Sequence, residues 1–366
     1  MDHKRALTIL AVATVLVVVT AIVARQETTS TPKYEEKLFP ELLGQINNTA
    51  EIIGTSKDGL FTLFARDGRW LVKEKHGYPA NPDKVHQLLV GLSQLQRIEP
   101  KTNNPELYSK IGVEDVSVNG AKSLRITLKS ADGQVLADLL VGNRKFSKAN
   151  PNLQEYFVRV AGEARAWLVE GKISDEKSVL NWLERDVLAL DPGRVREVRV
   201  THADGQEVVV QREDPSVADY KLVGLPDDAE VEPYTVNSIA NGLTNLTLDD
   251  VKPAADLSFS GKRPLTVELI TFDGLRVNMQ SLKDGKQHLA RFRAEFDSSS
   301  VAPSREGKNE NKHAPETGLM KPDAVKKEVD TLNARWGDWV YVIPGYRIDS
   351  LTKKKSDLLK VSKGDS

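Results

Sequence analysis

Apolar and polar positions alternate through AEIIGTSKDGLFTLFARDGRWLVKE, residues 50–74, and the alternation breaks at Asp58-Gly59 and Asp67-Gly68. A two-residue period interrupted by Asp-Gly pairs is the pattern of antiparallel strands joined by tight turns, so this segment reads as a three-stranded meander. The period then lengthens. In GYPANPDKVHQLLVGLSQLQ, residues 77–96, the apolar residues Val85, Leu88, Leu89, Leu92 and Leu95 recur at helical spacing. Asn81 stands where an N-cap belongs and Pro82 where the first helical residue does. Two more hairpins follow, about Asp132-Gly133 in SLRITLKSADGQVLADLLVG and about Gly162 in YFVRVAGEARAWLVE.

The same order then runs again. VREVRVTHADGQEVVVQRED supplies strands about Asp204-Gly205, and DYKLVG holds Tyr220 where the first half holds Trp70. Pro233 takes the place of Pro82, and Val236, Ile239, Ala240, Leu243 and Leu246 repeat the apolar face that includes Leu92, with Gly242 answering Gly91. PLTVELITFDGLRVNMQSL matches the hairpin about Asp132-Gly133, and DWVYVIPGY matches AWLVEG. The expected fold is therefore α+β by tandem duplication, each copy an antiparallel β-sheet with one amphipathic helix packed on it.

Ahead of the repeats lies ALTILAVATVLVVVTAIVA, residues 6–24, with no charge in it. As a helix it would be about 28 Å long, close to the ~30 Å hydrocarbon thickness of a bilayer. Lys4 and Arg5 precede it and a polar segment follows, so the positive-inside rule places the N-terminus in the cytoplasm and the bulk outside. A cleaved signal peptide is the competing reading, and the long apolar run favours one N-terminal transmembrane anchor. The expected organisation is 1–25 cytoplasmic tip and anchor, 26–48 stalk, 49–175 first repeat and 176–194 connector. The second repeat, 195–350, carries a mobile insertion at 297–318 rich in Ser, Pro, Asn and charge, and 351–366 form a basic tail.

Composition removes several chemistries. Among 366 residues there is no cysteine, hence no disulfide, thiol nucleophile or thiolate metal site, and a net charge of -1 gives no electrostatic reason to expect nucleic acid. None of His3, His76, His86, His202, His288 and His313 sits at a zinc spacing, and at the position of His86 the second copy has Asn237. SGKR, residues 260–263, lacks the flanking residues of a P-loop, and no GxSxG or SxxK motif is present. No catalytic, cofactor or metal residue is assigned. Trp70, Pro82, Leu92, Tyr220, Pro233 and Leu243 read as repeat scaffold. Trp336 and Trp339, beside the insertion, are the candidates for an exposed aromatic partner contact.

The anchor followed by LFPELLGQIN, Trp70 running into GYPANPDKVHQLLVGLSQL, ELYSKIGVED, DGQVLADLLVGN and WLERDVLALDPGRVREVRV together resemble the bacterial family known as domain of unknown function 4340. The resemblance implies a membrane-anchored extracytoplasmic protein working beside a gliding-type ABC transporter, with a permease or auxiliary subunit as partner. The expected function is a non-enzymatic accessory or scaffold subunit of an ABC-type transport or envelope-assembly complex on the outer side of the inner membrane. The alternative is an envelope glycan- or lipid-binding protein using the cleft between the copies.

Overall fold

The computed structural model describes residues 36–147, 151–225, 231–301 and 318–359. They form mostly antiparallel sheet with short helices, divided into two compact bodies. The first body ends at Trp182; the second comprises Lys75–Tyr78 and everything from Leu183. Residues 6–24 lie outside the described residues, as do 302–317 of the expected insertion; among the described residues no helix is long and apolar enough to cross a membrane.

The first body opens with helix α1 (Leu42–Gln45), followed by β1 (Thr49–Ser56), β2 (Gly59–Arg66), β3 (Arg69–Val72) and β4 (Tyr78–Pro79), of which Pro79 belongs to this body and Tyr78 to the second. Helix α2 (Pro82–Gln94) and β5 (Gln96–Pro100) come next, then helix α3 (Tyr108–Ile111), β6 (Leu124–Ser130), β7 (Val135–Phe146), β8 (Gln154–Val160) and β9 (Ala166–Gly171). The sheet order is β4-β3-β2-β1-β6-β7-β8-β9-β5. The Asn81 side chain accepts from the Lys84 amide at 3.0 Å, so the expected cap is in place. Val85, Leu88 and Leu92 are buried toward the sheet, each contributing about 1.5–3 kcal/mol gross.

In the second body, β10 (Asp186–Leu188) precedes β11 (Val195–Thr201), β12 (Glu207–Gln211) and β13 (Lys221–Leu222). Helix α4 (Pro233–Ala240) leads to β14 (Leu246–Thr247) and β15 (Asp250–Pro253), and β16 (Leu265–Thr271), β17 (Leu275–Asp284) and β18 (Gln287–Phe296) follow. The chain closes with α5 (Pro322–Trp336), β19 (Trp339–Ile343), α6 (Gly345–Leu351) and α7 (Lys355–Leu358). The order β13-β12-β11-β16-β17-β18-β19-β15 corresponds strand for strand to the first sheet, with β4 left over.

Register makes the correspondence finer. The β1–β6 pairing slips between Thr49 and Glu51, and the β11–β16 pairing slips at the matching place, between Val195 and Glu197. Extending the pairing of Leu63 with Val72 and Val210 with Leu222 places Trp70 and Tyr220 at equivalent positions.

Five expectations are corrected. The stalk assigned to 26–48 is folded from residue 36 onward: Leu38 and Leu42 are 3% and 2% exposed, Lys37 bridges to Gln96, and the Arg97 amide donates to the Glu36 carbonyl at 3.0 Å. In the second body β10 pairs with β14, Asp186 opposite Thr247, and the Leu248 amide donates to the Arg185 carbonyl at 3.0 Å. Each body thus starts with a segment that hooks onto the residues just after its helix, and the 176–194 connector contains the second hook.

The second helix is shorter than its apolar spacing implies, because Asn241-Gly242 ends it and Asn245 takes a left-handed φ of 50°. Leu243 and Leu246 are buried all the same, from turn and strand. The second body also carries a second helix on its sheet, α5, lodged between β18 and β19 where the first body has a tight turn. Finally, residues 351–359 of the expected tail are packed on the second body: Leu351 and Leu358 are buried, and Lys354 pairs with Asp204 at 2.6 Å.

Candidate functional site

The first body holds an open groove of about 660 Å³. One wall is a flank of α2, where His86, Gln87, Val90 and Gln94 follow one another at helical spacing beside the buried stripe. The opposite wall is the end of β9 and the residues after it, Glu170, Gly171 and Lys172. Lys37 and Gln96, partners in the bridge that hooks the chain onto β5, close one end.

Close packing makes the groove. A Cβ added at Gly91 would stand 2.2 Å from the Lys172 carbonyl oxygen, and one at Gly171 would stand 2.7 Å from Leu95 Cδ2. The helix can approach the strand only because both positions lack a side chain. Gly91→Ala is expected to push α2 off β9 at a cost of about 1–3 kcal/mol, measured by urea unfolding; an unchanged midpoint would show that the backbone gives way freely.

The chemistry is that of recognition. Three glutamines provide amide donors and acceptors, while Lys37 and Lys172 provide ammonium groups with no ion pair among the described residues. Glu170 accepts a hydrogen bond from the Ser147 hydroxyl, which occupies the lining's single carboxylate. His86 is exposed at the rim. In the second body its counterpart Asn237 serves the scaffold, accepting from the Tyr220 amide at 2.9 Å and donating to Asp219 at 2.7 Å. The groove is therefore a property of the first body. The groove does not show in the sequence, where Lys37 falls within the expected stalk and His86 stands at no metal-ligand spacing. The signal that this stretch folds was present in Leu38 and Leu42, spaced four apart.

The aromatic candidates separate. Trp336 is 2% exposed, its Nε1 donating to the Val187 carbonyl at 3.0 Å and its ring 5.4 Å from that of Phe292. It is not an exposed rim: the last turn of α5 faces the sheet, and Trp336 fills the space. Trp339 is half-buried, edge-on to Tyr78 at 5.1 Å. Of the scaffold residues, Leu92, Tyr220 and Leu243 are buried, Trp70 is half-buried in β3, and Pro82 and Pro233 open their helices. Among the described histidines only His202 is buried; His3 and His313 lie outside the described residues. No group of three His, Asp or Glu placed to hold a metal occurs among the described residues. Arg263 of SGKR leads into a strand, where a P-loop would lead into a helix.

Charge in the second body is concentrated in a structural node. Arg194, 5% exposed, donates from Nε to Asp273 at 2.7 Å and from both terminal nitrogens to Glu328 at 2.9 and 2.7 Å. Asp273 also accepts from the Thr271 hydroxyl and, at 2.9 Å, from the Met320 amide. Nearby, hydrogen bonds from Ser299, Ser300 and Arg276 hold the Asp297 carboxyl well below the usual carboxylate range.

A family model described as Domain of unknown function (DUF4340) matches residues 70–263. No curated protein and no solved structure matches the chain.

Proposed function

We propose, for a chain that belongs to the family described as a domain of unknown function (DUF4340), that it acts as a non-enzymatic accessory or scaffold subunit of an ABC-type transport or envelope-assembly complex. The two bodies are read as a tandem duplication, held at the outer side of a bacterial inner membrane by residues 6–24. The uncharged run of those residues, with Lys4 and Arg5 before it, supports the placement.

The groove of the first body is the observation that carries the reading. Its amides and ammonium groups stand on a helix and a strand and offer a partner several hydrogen bonds around the apolar Val90. The partner is taken to be a permease or auxiliary subunit of the transporter. Its three glutamines also suit sugar hydroxyls, which keeps an envelope glycan as the second reading.

The test is co-purification of the whole chain from membranes in mild detergent. A transporter permease or auxiliary subunit identified in the eluate, and lost with Val90→Arg at unchanged melting temperature, is the expected result. Recovery of no transporter component sinks the transporter reading; saturable binding of peptidoglycan fragments, abolished by the same substitution, replaces it with the glycan one.

A further inference from the structure

A second cavity, of about 350 Å³, lies in the second body. Strand register explains its contents. Ser281 and Lys283 are two apart on β17, and Leu265 pairs with Ser281 while His288 pairs with Lys283. Alternation along strands puts these four side chains on one face of the sheet, and Arg263 precedes Leu265 by two residues. Ile348, Asp349 and Thr352, from α6 and the residue after it, form the opposite wall.

The polar groups here are unspent. Arg263, Lys283 and His288 have no hydrogen-bond or ion-pair partner among the described residues, in a body where Arg194, Arg199 and Arg276 are all ion-paired. Ser281 is 4% exposed. Beside the lining residue Ala203, His202 continues the inward alternation of Val198 and Val200; it is 8% exposed and its buried Nε2 has no partner among the described residues. A buried polar atom without a partner is uncommon, and this one adjoins a cavity whose lining carries three basic side chains.

We propose that this cavity binds the phosphate group of a phosphate ester whose other substituent carries a hydrogen-bond donor. A carboxylate, with two oxygens, leaves part of this donor set unused, whereas the oxygens of a phosphate can meet Arg263, Lys283, His288 and Ser281 together. Asp349, the lining's single carboxylate, repels the phosphate from its own wall and accepts from the substituent. The volume fits a small ester or a lipid headgroup. The cavity lies almost wholly beyond residues 70–263, and α6 has no counterpart in the first body, so the site belongs to the second copy alone.

Isothermal titration of the whole chain in detergent with glycerol 3-phosphate tests it, alongside phosphorus NMR of mixed micelles containing phosphatidylglycerol. One-to-one binding of glycerol 3-phosphate with a dissociation constant below about 1 mM identifies a soluble ester as ligand. Broadening confined to the phosphatidylglycerol resonance identifies a lipid headgroup. In either case R263Q/K283Q is expected to weaken binding at least about tenfold at unchanged melting temperature. No saturable binding in either arm, or equal binding by R263Q/K283Q, overturns the proposal.

Discussion

Arg194→Met is expected to destabilise the second body by about 3–5 kcal/mol, the usual cost of removing one partner from a buried ionic cluster. Without the guanidinium, Asp273 at 3% exposure and Glu328 at one-fifth exposure are left as neighbouring carboxylates with no cation between them. Asp273 keeps the Met320 amide and Thr271 hydroxyl as donors, which hold it in place but do not neutralise it. Urea unfolding midpoints measure the deficit. Exchanging the carboxylates as well, in R194M/D273N/E328Q, is expected to recover part of the loss, because the uncompensated charges are then removed with their cation. No recovery in the triple variant would show that the guanidinium acts through packing alone.

Raising the pH from about 10 to 12 is expected to remove stability from the second body at about 4 kcal/mol per pH unit, the sum of three suppressed tyrosine ionisations. Burial pushes the Tyr220 hydroxyl up to about 12. Burial also raises Tyr78 and Tyr341, and the Tyr78 hydroxyl beside it adds to the shift of Tyr341. Below the ordinary tyrosine pKa both states are protonated and the folded state keeps its full stability. Above it the unfolded chain loses three protons that the folded one retains, so stability declines as pH rises toward the folded values. Phenolate absorbance from these three groups should appear together with loss of circular dichroism, and Tyr341→Phe should cut the slope by about a third. Ionisation of all the tyrosines before any unfolding would refute this.

The turns were legible because their chemistry is local. Asp67-Gly68, Asp132-Gly133 and Asp273-Gly274 each place the glycine at positive φ, as a hairpin about such a pair needs. The repeat was legible for the same reason, since Pro82 and Pro233 open helices whose apolar faces are set by spacing alone. What stayed hidden depends on distant residues. Lys37 meets Gln96 across 59 positions, and the four-residue spacing of Leu38 and Leu42 marks a buried face without naming the strand it meets. Trp336 read as a rim because its neighbours are polar; only the direction in which α5 lies on β18 buries it. The groove and the basic cavity are products of register. Lys283 and His288 share a face because their strands pair at those residues, which composition could not disclose.

The second body contains four residues from early in the chain, Lys75–Tyr78, and they are bound tightly. Lys75 pairs with Asp250 at 2.6 Å, and the Tyr78 hydroxyl donates to the Glu184 carbonyl at 3.0 Å while its ring meets Trp339 and Tyr341. Residues 183–366 expressed alone would therefore lack one wall of their own aromatic core, with the rings of Trp339 and Tyr341 left without Tyr78 and Asp250 without its cation.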